Sequence, residues 1–321
     1  MQLTMAKKTV GILTQKGIKE VEVEVDGKPK MVVGLAHKIK VNFNCRKERI
    51  AILKALKLRG FETYALTNCP WPNDAYLYLD GLYAPQEEFA DSNGSLIPQD
   101  QVFAGGNYVF GEDFILVSTA VKEDLEKLLK DHKQYRTFFK PEKRRIMYVD
   151  PYNATIYNER GDANNLNHID LTIGYVHGRK LLCINSNHYA QVESQIRTLQ
   201  REHGVEVLLT FDEVPNGFHY YPNNFYVVRD YLPDKENKCK NKKTKNESPL
   251  VIANKYNQFY RRLTEHGVQV IVPNLTIIKT AIGFGSIKCA TNQVDDVKLL
   301  DMFGLKYEQW PNHEKMFKKH N

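Results

Sequence analysis

Along the chain, stretches with apolar residues at three- and four-residue spacing alternate with short apolar runs. Arg46 to Leu58 carries its apolar residues on one helical face, so an amphipathic helix is expected there. Gly60 stops it, because glycine accepts the left-handed backbone that ends many helices. Phe61 to Leu66 then reads as a strand. The same order returns three more times. Glu123 to His132 is a predicted helix, with Arg145 to Val149 as its strand. Tyr189 to His203, Gly204 and Val205 to Thr210 form the next set. Val251 to His266, Gly267 and Val268 to Val272 form another. A shorter fifth copy runs from Val294 to Met302, through Gly304, to the strand Leu305 to Tyr307.

Between these units lie strand-rich segments, each with a polar residue at or beside its mouth: 72–79, 105–110, 167–175, 222–228 and 286–290. Most alternate or run apolar, as half- or fully buried strands do. Five units on a period of roughly 60 residues predict an α/β fold arranged as a five-bladed, pseudo-symmetric α/β propeller. Equivalent strand ends then meet at one axis, where Asp74, Asn107, His168, Asn224 and Cys289 would face a common cavity. The first 40 residues do not carry the unit. Thr9 to Leu13 and Lys19 to Val25 alternate, Asp26-Gly27 is a strong hairpin signal, and Met31 to Leu35 answers it. The expected organisation is a β-hairpin extension over residues 1–40 and a single α/β-propeller catalytic domain over residues 41–321.

Composition removes several classes. The chain has 321 residues and is 42% hydrophobic, enough for a sizeable core and against global disorder. Its five cysteines, Cys45, Cys69, Cys183, Cys239 and Cys289, include no Cys-x-x-Cys pair. That argues against a zinc ribbon or a redox dithiol, and so sparse, odd a set favours a reducing compartment. No run reaches the ~18 apolar residues of a membrane span, and the N-terminus has no signal-peptide core. A cytoplasmic protein without a membrane partner is expected. The net charge of +7 raises nucleic acid as a partner. Much of the excess, however, sits between Lys235 and Glu247, where Cys239 stands without apolar neighbours. That reads as a lysine-rich mobile loop over residues 234–249, and nucleic acid is not an expected partner.

Candidate chemistry centres on Cys289. It follows an apolar run and the glycines Gly283 and Gly285, which let the backbone bend and aim a thiol into a cavity. A thiolate there is a strong nucleophile. His168 and Asp170 are two apart on a predicted strand, which puts them on one face. A carboxylate beside a histidine orients it as an acid–base group. Asp74, next to Trp71, adds a second acid. Two carboxylates, a histidine and a thiol make an acidic pocket whose natural guest is a planar cation. A metal site lacks clustered ligand spacing, so neither a metal nor another cofactor is expected. Cys183 reads as core, and His188 and His219 as surface or satisfied residues.

These motifs, taken together, resemble the guanidino-group-modifying, or pentein, superfamily, which includes arginine and agmatine deiminases, dimethylarginine dimethylaminohydrolases and amidinotransferases. The resemblance spans about residues 40 to 310. His168-Ile-Asp170 is similar to the family's His-x-Asp strand, and Ser286 to Thr291 to its cysteine motif. Gly105-Gly106-Asn107 resembles its Gly-Gly strand, and Pro72-Asn73-Asp74 its acidic element. The resemblance implies the pentein fold and a small-molecule guanidine substrate. Asp74 and Asp170 would hold the guanidinium, with Gly106 and Asn107 lining the substrate site. Cys289 would attack the central carbon and His168 would protonate the departing amine, leaving a thiouronium adduct. Water would then give a ureido product, or an acceptor amine would take the amidino group. A non-catalytic binding protein of the same fold is a third reading, and assembly as a homodimer is left open. The chain departs from the family at Ala104, where many members carry an acid, and at Asn73, where an arginine often stands. Ser118 to Val121 lacks the family's arginine that would grip a substrate carboxylate, and Arg229 would be its substitute.

Overall fold

The computed structural model describes residues 6–26, 30–35, 43–58, 60–69, 71–86, 88–90, 96–98, 101–152, 155–157, 163–165, 168–210, 218–220, 225–227, 261–271 and 288–310. Asn224, Arg229, the glycines Gly283 and Gly285 and the lysine-rich 234–249 segment lie outside them.

The fold is α/β, and five sheets share one pairing pattern: an antiparallel pair extended by a parallel strand. One holds β5 (Tyr76–Leu79) antiparallel to β6 (Leu82–Pro85), with β1 (Ala6–Thr14) parallel to β6. In the next, β9 (Tyr108–Phe110) and β10 (Phe114–Ser118) are antiparallel, and β11 (Arg145–Val149) joins β10 in parallel. β14 (Ile173–Val176), β15 (Leu181–Asn185) and β16 (Glu206–Thr210) repeat it. So do β17 (Phe218–Tyr220), β18 (Phe225–Val227) and β19 (Gln269–Ile271). The fifth joins distant parts of the chain: β20 (Thr291–Val294) lies antiparallel to β3 (Lys30–Gly34), and β4 (Glu62–Leu66) parallel to it. Two short antiparallel pairs form sheets of their own: β7 (Glu88–Ala90) with β8 (Leu96–Pro98), and β12 (Thr155–Tyr157) with β13 (Ala163–Asn165).

Consecutive parallel strands need a crossover, and helices supply it. α1 (Phe43–Leu58) links β3 to β4. α3 (Lys122–Asp131) and α4 (Lys133–Phe139) link β10 to β11. α5 (Ser186–His203) links β15 to β16. α5 illustrates why these residues are helical. The Asn185 side chain accepts from the N–H groups of Asn187 and His188, at 2.9 and 3.1 Å, a cap worth ~1 kcal/mol. Val192, Ile196 and Leu199 then repeat on one face and are buried, each contributing about 1.5–3 kcal/mol. Gly204 ends the helix at φ +64°. Gly60 and Gly267 also take positive φ, at +88° and +68°, as helix stops do. Of the predicted 251–266 helix, only residues from 261 onward are described.

The N-terminal expectation needs correction. β1 and β2 (Gly17–Val25) do form a hairpin, but it turns at Gln15-Lys16, with Thr14 opposite Gly17. Asp26-Gly27 does not fold β3 back on β2; no such ladder forms among the described residues. β3 instead lies between β20 and β4, and all five of its residues are buried. A local turn signal was outweighed by long-range burial of Met31, Val32 and Val33 on both strand edges. A boundary at residue 40 divides β3 from α1, which packs on it through Leu53 and Leu56. The fifth unit differs too. Val294 ends a strand, the helix is Lys298–Met302, and the final strand, β21 (Tyr307–Gln309), pairs antiparallel with β4. That helix and Phe303 close over β1, β5 and β6 through Val10, Ile12, Tyr76 and Tyr83. No helix among the described residues is long and apolar enough to cross a membrane.

Candidate active site

Each described candidate residue sits on a single turn just before the first strand of a sheet. Four of these turns are described, and each closes with a peptide N–H bonded three residues back. The bonds are Asp74 to Trp71 (2.9 Å), Asn107 to Ala104 (3.0 Å), Thr172 to Ile169 (3.1 Å) and Thr291 to Lys288 (3.1 Å). Asp74 thus lies in the one-turn helix α2 (Pro72–Ala75) before β5. Asn107 ends a 3-10 turn, Gly105–Asn107, before β9. His168 caps the 3-10 turn Ile169–Leu171, which contains Asp170, before β14. Cys289 lies in the turn 288–290 before β20.

The expected strand over His168 to Asp170 is therefore a turn. The two side chains still converge, because the Thr172 N–H closes on Ile169 and tucks Asp170 back toward His168. One imidazole nitrogen of His168, a carboxylate oxygen of Asp170 and Sγ of Cys289 all lie within 4.8 Å of one another. Cys289 is 3% exposed and Asp170 1%, so bulk water is excluded around the sulfur.

Close packing of backbone brings the turns together. The Asn73 N–H donates to the Cys289 carbonyl at 3.4 Å. Asn292 Nδ2 donates to the carbonyls of Pro72 (3.1 Å) and Tyr76 (2.9 Å), bracing α2 against β20. The Gly106 N–H donates to Asp74 Oδ1 at 3.4 Å. Gly105 has no room for a side chain: an added Cβ would fall 2.6 Å from Cγ of Asn73. Asn107 and Ala104 are buried on the same turn. Asn224, the fifth expected member, lies outside the described residues.

Asp74 carries the clearest electrostatic signature. Burial pushes its carboxyl up to about 6, and the neighbouring Asp170 pushes the same way. His168, the Gly106 N–H and Lys288 pull against that shift. Asp74 bonds to the neighbouring turn instead of capping its own.

Two contributors were missed in the sequence. Asn292 is one. The other is Lys288, whose Nζ donates to the Tyr108 carbonyl at 2.8 Å and stands 3.5 Å from Asp170 Oδ2. As the residue before Cys289 it would point away on an extended strand; the turn at 288–290 brings it in. Asn73 Nδ2 donates to the same Asp170 oxygen at 3.4 Å. Lys288, Asn73 and Gly105 also line a cavity of about 170 Å³ that His168, Asp170 and Cys289 do not line. His168, Asp170 and Cys289 form a donor set for a cation, though the Lys288 ammonium beside Asp170 opposes a metal there.

Residues read as bystanders fall into place. Cys183 is fully buried in β15. His188 is buried and does have partners: Thr172 Oγ1 and the Asp150 carbonyl, each at 2.7 Å. Burial lowers its pKa, which favours a neutral structural imidazole. Ser118 caps the turn that follows it by accepting from the Ala120 N–H.

No family model matches the sequence, and no curated protein matches it. Solved structures do. A dimethylarginine dimethylaminohydrolase, solved as an adduct with 4-chloro-2-hydroxymethylpyridine, aligns over 83% of this chain and 99% of its own, with 8% identity and a TM-score of 0.51. A protein from Porphyromonas gingivalis, provisionally assigned as an arginine deiminase, aligns over 84% of this chain and 96% of its own, with 12% identity and a TM-score of 0.51. At such identities the likeness concerns the path of the backbone alone: this chain shares the α/β fold of these two proteins.

Proposed function

We propose that this protein is a cysteine-dependent enzyme that cleaves a C–N bond of an arginine-like or substituted guanidine by hydrolysis. The observation that carries the proposal is the convergence of His168, Asp170 and Cys289 within 4.8 Å, from turns far apart in the chain. On this reading the recurring sheets are five blades of one pseudo-symmetric propeller closed around the site, and their shared pairing pattern supports it.

Asp74 and Asp170 bind the guanidinium through its N–H groups, holding the planar carbon over the sulfur. Sγ of Cys289, as thiolate, forms a bond to that carbon. The C–N bond to the departing group breaks as His168 delivers a proton to its nitrogen, and a thiouronium remains. His168 then takes a proton from water, the hydroxide adds to the same carbon, the C–S bond breaks, and the hydroxyl proton passes to the released amine or to solvent. The products are a urea and an amine or ammonia, with the thiolate restored. Covalent catalysis divides one difficult displacement into two, and a dry site strengthens each charge interaction. Transfer of the amidino group to an amine differs only in the second nucleophile.

The test is incubation with a panel of guanidines, read by mass spectrometry for ureido product, transferred amidine and a mass increase on Cys289. Cys289→Ser should lose turnover and adduct while keeping its fold. A folded wild-type protein that gives neither product nor adduct across the panel, and whose Cys289 resists alkylation at neutral pH, would favour a binding protein of this fold instead.

A further inference from the structure

We infer that Lys288 is a positioning residue of this site: it decides which oxygen of Asp170 a cationic substrate can reach, and it sets the charge that the substrate meets. The inference rests on the guanidine reading above and adds to it a residue that reading does not use.

The geometry divides Asp170 into two unlike halves. Oδ2 is claimed twice, by the Lys288 ammonium at 3.5 Å and by Asn73 Nδ2 at 3.4 Å. Oδ1 is buried and has no hydrogen-bond partner among the described residues. A buried carboxylate oxygen left without a donor is costly, so the arrangement is completed by a donor that arrives with a ligand. Asp74 gives its Oδ1 to the Gly106 N–H. Asp170 therefore turns one oxygen toward the protein and keeps the other for an incoming N–H.

Charge leads to the same place. Two carboxylates alone would put two negative charges beside a thiol that must lose its proton. With Lys288 the sum falls to one, which a single guanidinium neutralises. The amine cannot take the substrate's own place, because its bond to the Tyr108 carbonyl, at 2.8 Å, tethers it to β9. The backbone turn at 288–290 makes this geometry available to a residue next to the nucleophile.

The test uses the full chain and an uncharged alkylating agent, iodoacetamide, whose reaction with Cys289 is followed against pH in parallel with guanidine kinetics. In Lys288→Met, alkylation at pH 7 should slow about tenfold or more, and the midpoint of the pH profile should move up by about one unit, because two uncompensated carboxylates disfavour the thiolate. kcat should fall at least tenfold with KM unchanged or lower, since the site has lost its order but gained negative charge. Lys288→Arg, which keeps the charge, should hold the alkylation rate within about threefold of wild type. Lys288→Gln, which can keep the tether without the charge, guards against a variant that fails to fold and should follow Lys288→Met. An unchanged alkylation profile in folded Lys288→Met or Lys288→Gln overturns the inference. Because alkylation needs no substrate, a moved profile in a protein that turns over no guanidine would sustain the role of Lys288 and sink the substrate reading alone.

Discussion

Gly106 and His168 approach so closely that a Cβ on the glycine would fall 2.8 Å from Cβ of the histidine and nearer still to its ring. The glycine is required by this contact between two turns, because the imidazole occupies the volume any side chain would need. Gly106→Ala should push the ring away from Cys289 Sγ. A displacement of about 1 Å can cost on the order of 100-fold in rate, while overpacking costs ~1–3 kcal/mol of stability. Turnover and urea unfolding measured on the same preparation check this; a fully active Gly106→Ala would mean that the imidazole takes no part in the chemistry.

Asp74 makes a prediction about pH. Its folded carboxyl titrates at about 6 because burial disfavours the charge, whereas an unfolded aspartate titrates near ~3.9. The folded state therefore holds this proton more tightly. The stability it contributes is complete below about pH 4 and is lost as pH rises through about 6. Asp74→Asn should accordingly exceed wild type in stability at pH 8 by ~1–3 kcal/mol, with the gap closing toward pH 4. Guanidine binding should move the other way, weakening in the wild type as pH falls below about 6, a limb the asparagine variant lacks. Urea melts at both pH values decide it, and an Asp74→Asn protein no more stable than wild type at pH 8 refutes the burial argument.

On the proposed mechanism, His168→Ala separates two proton transfers. Without the acid, expulsion of a poor amine leaving group should slow by about 10²–10⁴-fold. A guanidine with a better leaving group should still form the adduct, which then accumulates because no base activates water. Intact-protein mass spectrometry reads the trapped species. Steady-state rates equal to wild type would remove the imidazole from the mechanism.

Asn292 braces α2 against β20. Its Nδ2 serves the carbonyls of Pro72 and Tyr76, and truncation leaves two carbonyl acceptors short of a donor. Asn292→Ala should cost about 1–3 kcal/mol in stability. It should also raise KM for guanidines by loosening Asp74, with the alkylation profile of Cys289 kept. Loss of stability alone, with kinetics intact, would make Asn292 purely structural.

Helix faces and glycine stops were legible from the amino-acid order. Arg145–Val149 matches its expected bounds, and α5 extends its prediction at one end only. These features depend on neighbours within a few residues, where periodicity and capping operate. The same order suggested that His168, Asp170 and Cys289 meet, because recurring units place equivalent ends together.

Other features were decided at a distance. Asp26-Gly27 carries a hairpin signal, yet β3 is buried between β20 and β4, strands from opposite ends of the chain. Period-two alternation sends Lys288 away from Cys289, yet a turn closed by the Thr291 N–H brings its ammonium to Asp170. Local patterns report which backbone shapes a segment favours. Which strand edges pair, and how much room a turn leaves, depends on the total surface buried, a quantity that exists only once the whole chain has folded.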